Sequence, residues 1–453
     1  MGGAQQLQTW ETPAATGPVR ARLAVPGSKS ITNRALILAA LASGPTRITG
    51  PLRARDTELM AAAVSALGAT VESVPAASDD DRRAAGRGMH DDWLVTPGWQ
   101  DAPATVDVGN AGTVIRFVPP TAALARADVA FHGDPRASER PVGPLLAALA
   151  QLGADISDDG RRAVPFTVHG RGQVPGGTVT LDASGSSQLV SGLLLAAPRY
   201  GKGAEIRHEG PRVPSAPLIA MTVAMLRAAG ADVEVAVPAG QDGVPTAWHV
   251  QPGELSPGTI AVESDLPNAT PFLAAALVTG GAVTIAGWPE QSLQAAGQML
   301  DTLVRLGATC ERVGDGVRVT GSGTVHGITA DLRDVNEMAP VLVAVAALAD
   351  SPSMFTGIGH QRTHETDRLA ALAGEIGALG GEVTELADGL AIRPRPLRAG
   401  DTVFDSHDDH RLVMAGAVLG LAVPGLRVGN AGTVGKTFPG FQELWREMLE
   451  QSP

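Results

Sequence analysis

Only three of the 35 basic residues are lysines: Lys29, Lys202 and Lys436. A chain that uses arginine wherever any cation will serve keeps lysine where a compact, tunable ammonium is wanted. Lys202 lies in the turn Tyr200-Gly-Lys-Gly203 and reads as surface. Lys29 (in Pro26-Gly-Ser-Lys-Ser30) and Lys436 (in Gly435-Lys-Thr437) are glycine-flanked with hydroxyl neighbours, a setting suited to oxyanions. The run from Asn430 to Thr437 misses the nucleotide P-loop pattern by Asn430 in place of its first glycine. No acidic strand-end partner for magnesium accompanies it, so an NTPase is not expected.

The other polar clusters describe anion clamps. Ser30 and Arg34 share a helix face at i, i+4. Gly109-Asn-Ala-Gly112-Thr113 opens a second helix carrying Arg116, and the same five residues recur as Gly429–Thr433 before Lys436. Arg136 and Arg140 bracket a turn, and Ser184-Gly-Ser186-Ser187-Gln188 offers hydroxyls and an amide before an apolar helix. Each alone has a plain reading as a cap, a turn or a surface arginine. Groups able to move protons come later: Glu337 before an apolar helix, His364-Glu365-Thr-Asp-Arg368, and Asp408-Asp-His410-Arg411. A metal is not expected. His360 and His364 are four apart, but the glutamate follows the second histidine, and Arg411 is a poor neighbour for a cation.

These groups need a scaffold. At 453 residues the chain exceeds a single core, so two domains are expected. The net charge of −12 argues against a phosphate-neutralising nucleic-acid binder. One cysteine, Cys310, excludes a disulfide framework. The segment before residue 20 has no basic residue and no apolar core, so no signal peptide is expected. Leu266 to Pro289 is uncharged but interrupted by Pro267, Asn268, Pro271 and Gly280-Gly281, which predicts a short buried helix, a turn and the strand 282–286 rather than a membrane span. A soluble, cytoplasmic protein is expected.

Five segments end an Ala/Leu-rich run at a glycine followed by a strand: Gly68, Gly153, Gly230, Gly307 and Gly380, spaced 73 to 85 residues apart. Each predicts an amphipathic helix stopped by a left-handed glycine, and the spacing indicates a repeated α/β unit. Cys310 takes the strand slot filled elsewhere by Val71, Ile156, Val233 and Val383, which predicts a buried, unreactive thiol. The Gly/Arg/Asp-rich stretch from Ser78 to Asp92 predicts a solvated loop.

Taken together, Pro26-Gly-Ser-Lys-Ser30 with Asn33-Arg34, Gly109–Thr113 with Arg116, and Glu139-Arg-Pro141 resemble the enolpyruvyl transferases. Ser186-Ser-Gln188, Glu365-Thr-Asp-Arg368, Asp409-His-Arg411 and Lys436-Thr-Phe-Pro439 extend the resemblance in order. The match is to the branch whose acceptor is shikimate 3-phosphate. The resemblance implies a two-domain inside-out α/β barrel, each domain built from three βαβαββ units. Residues 28–261 would form the first domain, and 1–27 with 262–453 the second, with hinges near Gly27 and Val262 and the active site in the cleft. The implied reaction moves the enolpyruvyl group of phosphoenolpyruvate to the 5-hydroxyl of shikimate 3-phosphate and releases phosphate. It needs no cofactor, metal, nucleic acid or membrane, and a monomer is implied.

By the same resemblance Ser30, Arg34, Ser186, Ser187, Ser215, Glu337 and His364 hold shikimate 3-phosphate. Lys29, Gly112, Arg140, Gln188, Arg368, Arg411 and Lys436 hold phosphoenolpyruvate. Glu337 serves as base on the hydroxyl, and Lys29 with Glu365 handle protons at the methylene carbon. Three positions depart from the pattern. His364 replaces a usual lysine, which predicts weaker binding of the shikimate phosphate above about pH 6.5. Glu337 replaces a frequent aspartate, and Phe117 a frequent proline. The rivals are transfer to UDP-N-acetylglucosamine, whose enzymes carry a cysteine on a first-domain loop, and a non-catalytic repeat-built scaffold. The position of Cys310 opposes the first, and the acidic charge with dispersed clamps opposes the second.

Overall fold

A computed structural model describes residues 9–76, 91–237 and 243–452. The expected loop from Ser78 lies outside these residues as far as position 90. Its last residue, Asp92, is a correction: it opens the strand Asp92–Thr96, is buried, and accepts a hydrogen bond from Arg47 Nε at 2.8 Å. Polarity alone misassigns it, because its charge is matched by a partner 45 residues away.

The described residues form two compact units, one within 27–263 and one from 9–26 with 264–452. Within 27–263 lie three four-stranded sheets. In chain order one repeat runs Gly177–Leu181, helix Ser187–Ala196, Ala204–His208, helix Ala216–Ala228, then the pair Val233–Ala236 and Ala247–Val250. The first two strands are parallel, which requires a crossover helix, and the last two are antiparallel. The sheet order is first, second, fourth, third, and the sheet begun by Ala104–Asp107 repeats it.

The third sheet of this unit takes its first strand from elsewhere in the chain. Arg20–Leu23 precedes the helix Lys29–Ala40, yet it pairs in parallel with Ala282–Ile285. Thr259–Ala261 precedes the helix Leu266–Thr279, yet it pairs in parallel with Thr46–Thr49. The two units have therefore exchanged first strands where the chain passes from one to the other. At Gly27 a Cβ would lie 2.3 Å from the Gly50 carbonyl oxygen, so only glycine fits one of these passages.

All five repeat glycines have positive φ, from 93° to 114°, immediately after a helix. The sixth repeat has no such glycine after its second helix. It runs Val403–Asp405, helix His410–Ala422, Arg427–Gly429 and helix Phe441–Glu450, and its antiparallel strand is supplied by Thr9–Glu11.

The first helix of each repeat is the buried one. Every residue of Gly112–Ala122 and Ala339–Ala347 is buried, and 12 of 13 in His410–Ala422. Second helices bury one face, as Ala296–Arg305 does through Met299, Thr302 and Leu303. Sheets thus flank a helical interior. The uncharged stretch folds as Leu266–Thr279, a left-handed Gly280 cap and Ala282–Ile285. Among the described residues no helix is long and apolar enough to cross a membrane. The first helix spans Lys29–Ala40, so Lys29 and Ser30 form its first turn. Cys310 is half-buried rather than buried, because its strand edges an outer sheet face; burial and nearby Asp301 push its thiol up to about 11, far from a nucleophile.

Candidate active site

Within 27–263 the three buried helices Lys29–Ala40, Gly112–Ala122 and Ser187–Ala196 pack on one another. Their first turns are tied together. Asn33 Nδ2 donates to Thr113 Oγ1 at 2.6 Å, and Arg116 Nη1 donates to Gln188 Oε1 at 3.0 Å. Helix amino ends carry unpaired N–H groups and partial positive charge, so their convergence favours an anion.

Gly112 sits at the centre of this convergence. A Cβ there would lie 2.7 Å from Arg140 Nη2, 2.9 Å from Arg116 Nη1 and 3.1 Å from Gln188 Oε1. Any side chain would displace the cations that the glycine admits. Arg140 is anchored by donating to the Asn110 carbonyl at 2.6 Å, and Arg116 by donating to the Pro141 carbonyl at 3.1 Å. Lys29 Nζ lies 3.4 Å from Asp56 Oδ2, with both side chains largely buried. Ser186 caps its helix by accepting from the Gln188 N–H at 3.3 Å. Ser215 precedes the helix Ala216–Ala228 in the left-handed region, φ 55°, which a non-glycine residue occupies only when its surroundings hold it there.

Arg34 is 1% exposed. It donates to Thr222 Oγ1, the Ser30 carbonyl, Ser191 Oγ and the Leu218 carbonyl, at 2.7 to 3.3 Å, and stacks 5.0 Å from the Phe117 ring centre. These four acceptors are uncharged, and burial lowers its pKa to about 9. A guanidinium has five N–H groups, and among the described residues these acceptors engage four of them. Such a desolvated cation gains from an incoming anion.

The unit containing 264–452 carries an ion network of its own. The short helix Arg333–Met338 carries Glu337, whose Oε2 is 3.1 Å from Arg411 Nη2. Arg411 also donates to Asn268 Oδ1 at 3.0 Å, joining the first turns of two buried helices. Asp409 caps the helix His410–Ala422 by accepting from the Arg411 N–H at 2.8 Å, and holds Arg368 Nε at 2.7 Å. Arg368 further donates to Glu365 Oε2 at 3.1 Å and to His364 Nδ1 at 3.2 Å. Burial pulls the Arg368 pKa down, but Asp409, Glu365 and Glu337 outweigh it and raise it. Lys436 Nζ donates to the carbonyl of Asp408, a left-handed residue, at 2.8 Å.

His364 differs from expectation. Burial, then the Arg368 guanidinium, hold it well below the usual imidazole range. Its Nδ1 accepts from Arg368, which requires a neutral ring at that nitrogen. A group whose folded pKa is depressed charges only in acid, so it is neutral on both sides of pH 6.5 and supplies no charge to lose. The ratio of KM values for shikimate 3-phosphate between the wild type and His364→Gln should therefore stay within about twofold from pH 6.5 to 8.5. The ratio cancels titration of the substrate phosphate; a steady trend with rising pH would restore the titratable role. His360, its ring centre 5.4 Å away, is lowered to about 4 by burial.

Of the expected residues, the structure gathers Gly112, Arg140, Gln188, Ser186 and Ser187 at joined helix starts in one unit, and Glu337, His364, Glu365, Arg368 and Arg411 in one network of the other. Sequence reasoning gives no signal for Asp56, an ordinary first-turn acid, as the partner of Lys29. Asn268 sits in the uncharged stretch, where nothing marks one amide.

The family model for EPSP synthase (3-phosphoshikimate 1-carboxyvinyltransferase) matches residues 13–445. A solved structure of EPSP synthase from Acinetobacter baumannii is similar with a TM-score of 0.77 at 24% identity, covering 98% of each chain. The enolpyruvyl transferase NikO from Streptomyces tendae is similar with a TM-score of 0.72 at 17% identity, again covering 98% of each chain. These two likenesses carry the fold, and the expected α/β class agrees with them.

Proposed function

The chain belongs to the EPSP synthase family, and from that premise we propose how its residues divide the work of a 3-phosphoshikimate 1-carboxyvinyltransferase. The enzyme transfers the enolpyruvyl group of phosphoenolpyruvate to shikimate 3-phosphate in aromatic amino-acid biosynthesis. The cations and helix starts converging on Gly112 carry the assignment, because they form an anion site that a side chain would fill. Ser30, Arg34, Ser186, Ser187 and Ser215 hold shikimate 3-phosphate. Lys29, Gly112, Arg140 and Gln188 hold phosphoenolpyruvate, together with Arg368, Arg411 and Lys436.

In the addition step the 5-hydroxyl oxygen bonds to C2 of phosphoenolpyruvate. Glu337 takes the hydroxyl proton, and Lys29 or Glu365 delivers a proton to C3, giving a methyl group and a tetrahedral carbon. In the elimination step C3 gives up a proton, the C2–O bond to phosphate breaks, and the enol ether forms. Lys29, at a helix start, stabilises the negative charge that grows on the departing phosphate. His364 contributes a neutral hydrogen-bonding edge. A monomer working in the cytoplasm belongs to the same proposal, supported by the resemblance.

Phosphate release from phosphoenolpyruvate, with shikimate 3-phosphate and UDP-N-acetylglucosamine in parallel, tests the reading. Release with the shikimate ester alone is expected. Release with the sugar nucleotide alone would keep the donor and overturn the acceptor, and silence with both would leave an anion-binding scaffold.

A further inference from the structure

His208 ends the strand Ala204–His208 and is 8% exposed. Its ring stands between two segments, because the strand lies parallel to Gly177–Leu181 with Leu181 opposite His208. From Leu181 the chain continues through Asp182 and Ala183 to Ser186, Ser187 and Gln188. From His208 it continues through Gly210 and Pro211 to Ser215. The ring touches both. The Ala183 N–H donates to His208 Nδ1 at 3.1 Å, and His208 Nε2 is 2.8 Å from the Pro211 carbonyl oxygen. A backbone N–H can only donate and a carbonyl can only accept, so the partners fix a neutral ring protonated at Nε2. Ala183 is fully buried, leaving its N–H no water to turn to. The two segments also meet closely elsewhere: a Cβ on Gly210 would lie 2.8 Å from Asp182 Oδ1. The Glu209 N–H donates to the Leu181 carbonyl at 3.1 Å.

We propose that His208 is a positioning residue for the acceptor substrate: its neutral imidazole ties the segment carrying Ser186, Ser187 and Gln188 to the segment ending in Ser215, setting the spacing of their hydroxyls. This rests on the assignment of those serines to shikimate 3-phosphate. His208 has no place in proton transfer; it acts through the serines. Binding is sensitive to such spacing, since hydroxyls displaced by a fraction of an ångström no longer meet the ligand together.

Steady-state kinetics of His208→Phe, His208→Gln and the double variant Ser186→Ala/Ser187→Ala test the idea. Phenylalanine keeps the ring's bulk and removes both hydrogen bonds; glutamine can accept and donate. His208→Phe should raise KM for shikimate 3-phosphate about tenfold, leave KM for phosphoenolpyruvate and kcat within about twofold, and His208→Gln should recover most of the loss. If the serine variant raises that KM and His208→Phe does not, the positioning role fails while the serine assignment stands. If neither raises it, the serine assignment fails and takes this role with it. A parallel rise in both KM values with a lower melting temperature would make His208 merely structural, and so overturn the proposal. Should His208→Phe not fold, His208→Asn, too short to span both partners, carries the same comparison.

Discussion

Replacing Lys29 with methionine should lower kcat/KM by about 10³–10⁴-fold, the span expected when a positioned proton donor and a charge-stabilising cation are lost together. Methionine keeps an unbranched stem for the space beside Asp56, so the helix Lys29–Ala40 should survive. Lys29→Arg should not rescue activity, because a guanidinium is a broad, permanently charged fork that cannot give up a proton as an ammonium can. Lys202→Met, in an exposed turn, is the control and should be neutral. All three variants should melt near the wild type. A Lys29→Met enzyme within tenfold of wild-type kcat/KM would remove Lys29 from the chemistry.

The second large effect is on stability. Arg368 and Asp409 have side chains 1% and 0% exposed, and Asp409 also caps the helix His410–Ala422. Asp409→Ala leaves a buried guanidinium without its main counter-charge and should cost about 3–5 kcal/mol in urea unfolding at neutral pH. Asp409→Asn keeps the cap acceptor and loses the charge, so it should fall between. The double variant Arg368→Leu/Asp409→Leu should be less destabilised than Asp409→Ala, because no uncompensated charge remains. A cost under about 1 kcal/mol for Asp409→Ala would mean that water or Glu365 replaces the partner, and the network would be looser than its distances imply.

How far the fold is legible in the sequence depends on whether a feature is local. The repeat glycines are legible because a left-handed residue after a helix is a local demand that glycine meets. The sixth repeat escapes that reading because its closing strand, Thr9–Glu11, comes from more than 400 residues away. The same is true of the exchanged strands: nothing in Arg20–Leu23 says that it pairs with Ala282–Ile285 and not beside the helix that follows it. In the site, residue types and order point to the clamps, but not to the charge states inside them. His364 is titratable by type, and only its burial beside Arg368 makes it neutral. Asp56 and Asn268 are ordinary until folding sets a cation against each.

The exchange of strands also orders events during synthesis. The unit within 27–263 lacks its last strand until residue 261 has left the ribosome, and it can close then. Residues 9–11 and 20–23 emerge before any of it, yet their partners at 427–429 and 282–285 are made only after it. The nascent amino end must therefore wait, tethered to a finished neighbour, while most of the chain is translated. Its strands are short, three and four residues, and Arg20-Ala-Arg22 carries charge, which keeps a waiting edge from pairing with another chain.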